Sequence, residues 1–148
     1  MELISRNIKK NGIVIVALLF VLMWGIAFAN SNRTYSASDV LGDHADLNVE
    51  NPFVDIESID RGTEDIFTSI EIPEETQQAL IEAIKNAKFK RGTDGLIDYD
   101  YRVNITLNTG YTMWVDSDKQ LLSVIDMHEY YTIENDSDFF EILKNAAE

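Results

Sequence analysis

The chain has 148 residues and no cysteine, and its 26 acidic and 12 basic residues give a formal charge of −14. The lack of thiols excludes disulfides, thiol catalysis, thiolate metal sites and lipidation of an N-terminal cysteine together. A surface this acidic repels phosphate backbones and anionic lipid, so nucleic acid is not an expected partner.

Residues 1–11 form a short basic N-terminus carrying Arg6, Lys9 and Lys10. Residues 12–29, GIVIVALLFVLMWGIAFA, contain no charged side chain. As a helix, about 18 residues rising about 1.5 Å each match the hydrocarbon core of a bilayer. A helix apolar on every side needs lipid around it, and basic residues before it keep the N-terminus cytoplasmic. The expected location is therefore the cell membrane, with a single pass and the C-terminal part outside. The alternative is secretion: Ala27 and Ala29 frame a small-x-small signal-peptidase site, and cleavage after Ala29 would release a product starting at Asn30. Residues beyond position 30 number 118, with 9 basic and 25 acidic side chains, a charge of about −16 on one domain of ordinary size.

Residues 30–52, rich in Ser, Asn and Asp, read as a linker, in which Tyr35, Val40 and Leu41 either dock on the domain or stay solvated. The domain itself is expected over 53–148. Phe53 to Ile59 reads as a strand ending at the turn Arg61-Gly62-Thr63, and Ile66 to Ile72 as a second β-prone run. Pro73 opens a helix through PEETQQALIEAIKNAKFKR, with Glu74 and Glu75 in its first turn. Leu80, Ala83, Ile84 and Ala87 form its apolar stripe, Lys85 to Arg91 its cationic end, and Gly92 its C-cap. Tyr99 to Asn108 alternates with strict period two, which predicts a half-buried antiparallel strand. Asn108-Thr109-Gly110 turns the chain into Tyr111 to Val115, and Asp116-Ser117-Asp118 turns it again. Leu121 to Met127 and Tyr130 to Ile133 supply two further strands. Asp136 or Ser137 then caps a closing helix that buries Phe139, Phe140, Ile142 and Leu143. The expected fold class is α+β: an N-terminal transmembrane helix, then an antiparallel sheet of about four to six strands packed by two helices.

Ala83-Ile84 with Ala87, Asp100-Tyr101 with Val103, and Tyr111 with Met113-Trp114-Val115 carry a resemblance, completed by Asp126-Met127 and Tyr131-Thr132-Ile133. The stretch from Phe53 onward resembles the small cell-envelope domain of Bacillus-type YhfM-like lipoproteins, a family of unknown function. The resemblance implies a Gram-positive envelope protein and brings no catalytic residue. It departs from that family in lacking the lipid-bearing cysteine, so a transmembrane helix would replace the lipid.

Several residues invite chemistry. The acids of 94–100 and Asp116-Ser117-Asp118 suggest calcium, but an EF-hand starting at Asp116 needs Gly and Glu where Leu121 and Met127 stand. His44 beside Asp43 and Asp46, and His128 beside Asp126 and Glu129, lack the spacing of a helical zinc pair. Ser123 with His128 has no nucleophile elbow around it. No catalytic residue, cofactor site or metal site is therefore assigned, and the chain is not read as an enzyme. The aromatic residues remain. Tyr99, Tyr101, Tyr111 and Met113 should share the core face of a hairpin, leaving Trp114 on the other face. Trp114, Tyr130 and Tyr131 are the candidate partner surface, against the reading of a second core layer. The expected function is a membrane-anchored extracytoplasmic module, held through residues 12–29, that binds a protein or envelope component. A cation- or ligand-sensing module using the acidic loops is the alternative, and an envelope enzyme a third.

Overall fold

The computed structural model describes residues 15, 18–25, 33–92, 98–125, 129–134 and 138–147. The chain divides into two compact units, Met1–Arg33 and Thr34–Glu148. In the first, residues 18–25 are helical (α1), and their side chains are exposed all round. The rest of the expected 12–29 span, Ala27 and Ala29 included, lies outside the described residues. Among the described residues no helix is long and apolar enough to cross a membrane.

The second unit is α+β, built on one antiparallel sheet. Its strands are β1 (Thr34–Tyr35), β2 (Phe53–Ile59), β3 (Phe67–Ile70), β4 (Phe89–Arg91), β5 (Tyr101–Thr106), β6 (Gly110–Asp116), β7 (Leu121–Val124) and β8 (Tyr130–Ile133). They are ordered β1-β4-β8-β7-β6-β5-β2-β3, and every neighbouring pair is antiparallel. Three helices join them: α2 (Ala37–Leu41), α3 (Glu74–Asn86) and α4 (Phe139–Ala147).

Among the described residues the sheet has eight strands rather than four to six, and both additions come from segments expected to be something else. Thr34 to Leu41 is not linker. Ser36 and Asp39 form a reciprocal cap, each side chain accepting the other's backbone N–H, which starts α2. Ala37, Val40 and Leu41 are buried, and Gly42 ends the helix at φ 102°, where a side chain would be strained. The second addition, β4, lies where the cationic end of the long helix was expected. That helix stops at Asn86, with Ala87 as its C-cap. Phe89 is buried between Tyr35 of β1 and Ile133 of β8. Gly92 therefore caps no helix. Its N–H donates to the Tyr130 carbonyl at 2.6 Å, and a Cβ there would stand 3.1 Å from the Leu121 side chain. Glycine serves this close approach of backbone to neighbour.

Alternation then places the core. Val54, Ile56, Val103, Ile105, Met113, Val115, Leu122, Val124 and Tyr131 line one face of the sheet. Leu80, Ile81 and Ile84 of α3 and Phe139, Phe140 and Leu143 of α4 complete the same buried cluster. Gln77 ties α3 to the sheet: its Oε1 accepts the Val54 N–H at 3.2 Å and its Nε2 donates to the Ile72 carbonyl at 3.3 Å. With one face under helices, the opposite face of the strands carries the remaining side chains, and the candidate site lies there.

Candidate functional site

The register decides which aromatic residues reach the open face. Trp114 pairs with Arg102 and Ser123, and Ser123 with Tyr130, so these four point away from the helices. Tyr131 pairs with Leu122 and falls on the covered face, where it is 2% exposed. Tyr131 is thus withdrawn from the expected surface. It edges against Phe89 and Tyr35, and its hydroxyl donates to Glu129 at 2.6 Å. Burial is the main reason its phenol is pushed up to about 12, with the Glu129 hydrogen bond adding to it.

Trp114 and Tyr130 lie on the face opposite the helices, and two aromatic rings join Trp114. Phe67 of β3 lies 6.0 Å from it, and Tyr99, which precedes β5, lies 5.8 Å from it. Tyr99 was expected on the core face with Tyr101. It sits outside the strand proper, free of that alternation, and folds onto Trp114 instead. Burial raises its phenol pKa, as does neighbouring Tyr130, against the hydrogen bond with buried Ser123. Arg102 closes the strip, its guanidinium 4.1 Å from the centre of the Phe67 ring and paired with Glu57. The Arg102 hydrogen bond in turn holds the Glu57 carboxyl below its ordinary value. Beyond them a polar ladder crosses the strands: Thr112 donates to Asn104 at 2.9 Å, and Asn104 to Asp55 at 3.3 Å.

At the Tyr99 end the strip runs into a cleft of about 560 Å³ lined by the acids Asp60, Asp98, Asp100, Asp116 and Asp118 together with the cations Arg61 and Lys119, Arg61 pairing with Asp98 at 3.0 Å. The two acidic segments of the sequence do meet here, through hydrogen bonds that engage their carboxylates. Asp116, the last residue of β6, is 2% exposed and accepts the Asp98 N–H at 3.1 Å, the Lys119 N–H at 2.9 Å and Lys119 Nζ at 3.0 Å. Burial pushes its carboxyl up, but these bonds outweigh it and hold the group below its ordinary value. Asp100 accepts both the N–H and the hydroxyl of Ser117. Among the described residues, no group of three or more His, Asp or Glu side chains is placed to hold a metal, and no buried side-chain nitrogen or oxygen lacks a partner.

The other candidates fall elsewhere. His44 lines a separate groove with Thr109, Tyr111 and Ile125, and its carbonyl accepts from Asn108 Nδ2 at 2.7 Å. His128, Asp126 and Asp94 lie outside the described residues. Ser123 is buried beneath the aromatic strip. What the arrangement offers is recognition: a half-buried aromatic strip, one stacked cation and an end lined by paired acids and cations. Sequence reasoning missed Phe67 and Arg102, although the β-prone run and the period-two strand that carry them were both visible. No protein-family model matches this chain, and neither does any curated protein or any solved structure.

Proposed function

We propose that the chain is a membrane-anchored extracytoplasmic binding module whose open sheet face receives a protein or envelope component. The observation that carries this reading is the strip Phe67–Trp114–Tyr99 with Arg102, on the face opposite the helices. Trp, Tyr and Arg dominate binding hot spots, because each buries a large rigid surface and keeps a polar end for orientation. The apolar run at 12–29 supports the anchor, the Bacillus-type resemblance supports an envelope setting, and the charge of about −16 beyond residue 30 argues against nucleic acid.

Two experiments test the reading. Fractionation of a tagged chain with intact-mass analysis should find full-length protein in the membrane pellet. A soluble species starting at Asn30 would replace the anchor with a cleaved signal. A photo-reactive amino acid at position 67 should give adducts that disappear with Trp114→Ala and that do not form from position 78 on α3. Equal labelling from both faces, or turnover of an envelope substrate by the purified protein, would overturn a binding role for the open face. The meeting of the two acidic segments favours a second reading, a cation- or ligand-sensing module. A thermal-shift response to millimolar calcium or zinc would support it, and its absence would remove it.

A further inference from the structure

Among the described residues the sheet ends at β3, and the hydrogen-bond parity of that strand is fixed by its neighbours. The Asp60 N–H donates to the Ile66 carbonyl at 2.9 Å, and across β2 the Ile59 N–H donates to the Asp100 carbonyl at 2.8 Å. Antiparallel residues alternate between bonding one neighbour and the other. Even-numbered β2 residues therefore bond β3, with Ser58 opposite Thr68 and Ile56 opposite Ile70. Ile66, Thr68 and Ile70 turn their backbone groups inward. Phe67, Ser69 and the adjoining Glu71 turn theirs outward. No residue from 66 to 70 is charged, and Ile66 and Phe67 are 45% and 39% exposed. Edge strands are commonly blunted by lysine, proline or a bulge, and this strand contains no lysine or proline.

We propose that β3 is a pairing edge for a second copy of this chain, joined antiparallel about a two-fold axis through Ser69. An axis perpendicular to the sheet keeps the helices of both copies on one side and brings a strand against itself. Centred on Ser69, the pairing sets Phe67 opposite Glu71, Thr68 opposite Ile70 and exposed Ile66 opposite Ile72, so every outward-facing backbone group meets its counterpart. Centring on Thr68 would oppose Asp65 to Glu71 at both ends, a like-charge contact that destabilises a ladder. Centring on Ile70 would oppose Phe67 to Pro73, which has no N–H to give. Of these three registers the Ser69 one alone opposes neither like charges nor a proline, which is why the occupant is a second copy.

The cysteine-free chain makes the test direct. In a hydrogen-bonded antiparallel pair the facing Cα atoms lie about 5.5 Å apart, inside the range a disulfide spans. Full-length Ser69→Cys in detergent should form a disulfide-linked dimer under mild oxidation. Thr68→Cys should do so at least about ten-fold more slowly, since it faces position 70 rather than itself. Thr34→Cys on the opposite edge of the sheet measures random collision. Ser69→Lys, which sets two ammonium groups face to face on an exposed position, should shift the sedimenting species from dimer to monomer with an unchanged near-ultraviolet circular dichroism spectrum. Ser69→Cys crosslinking no faster than Thr34→Cys, Thr68→Cys crosslinking faster than Ser69→Cys, or Ser69→Lys sedimenting as the wild type would each overturn the proposal.

Discussion

Removing the Asp116 carboxylate should loosen the junction between the two acidic segments without touching the apolar core. Asp116→Ala leaves two backbone donors, the N–H groups of Asp98 and Lys119, without the Asp116 acceptor, and removes the Asp116 partner of the Lys119 ammonium. A hydrogen bond to a charged group contributes about 1.5–3 kcal/mol. Water can reach part of the vacated site, and Lys119 is half-exposed, so its ion pair adds no more than about 1 kcal/mol. The expected loss is about 2–4 kcal/mol, read as a lower urea midpoint with an unchanged denaturant slope. Asp116→Asn keeps one acceptor oxygen but turns an amide donor toward the other N–H, and should fall between the two. The sign of the pH effect follows from the lowered carboxyl value. The stabilisation is fully present above the ordinary value of 3.8 and is lost as pH falls through the lower folded value, so the wild type should weaken in that acid window more steeply than Asp116→Ala. A urea midpoint equal to that of the wild type, or parallel acid limbs for the two proteins, would refute the reasoning.

Other perturbations separate the remaining structural conclusions. Phe89→Ala should cost about 3–5 kcal/mol by calorimetry, because Phe89 is a buried strand residue, whereas on a solvated helix end it would cost almost nothing. Val40→Ala should cost about 2 kcal/mol and speed proteolysis near position 40, since α2 is docked on the domain. The Tyr131 phenol should ionise near pH 12 in an absorbance titration. Its folded value of about 12 exceeds the ordinary 10, so it stabilises fully below pH 10 and its contribution falls as pH rises toward 12, a loss that Tyr131→Phe should abolish.

The elements legible in the sequence are those whose signal is local. The period-two run from Tyr99 marks β5, Asn108-Thr109-Gly110 marks the hairpin, and the acids and apolar stripe after Pro73 mark α3. Phe89 to Arg91 shows the limit of such signals. Lysines at 88 and 90 suit a helix C-terminus, and Lys88-Phe89-Lys90 also alternates as a strand would. The strand wins because Phe89 finds Ile133 and Tyr35, both remote in sequence. Ser36 and Asp39 did carry a capping signature for α2, but five helical residues give no period to read. The open-face site was half legible. Parity placed Trp114 correctly, but Tyr130 and Tyr131 are adjacent and so lie on opposite faces, and only the pairing with β7 says which is which. Phe67 joins Trp114 through β2 and β5, a route no local pattern contains.

The order of strands also bears on how the chain folds as it is made. β5 to β8 form a meander whose neighbours are consecutive, so its pairings close short loops and form early. β2 is received by β5, with Glu57 and Arg102 45 positions apart, and β4 by β8. A chain synthesised from its N-terminus therefore completes β2 with β3, and β4 with β1, before β5 and β8, the strands that receive them, exist. During that interval FVDIESI and IFTSIEI have only each other to pair with, and the β5 side of FVDIESI is open. Asp55, Glu57 and Glu71 interrupt these segments and act as gatekeepers against the premature strand pairing that such runs invite. The negative charge of this region thus protects the unfinished chain as well as the finished surface.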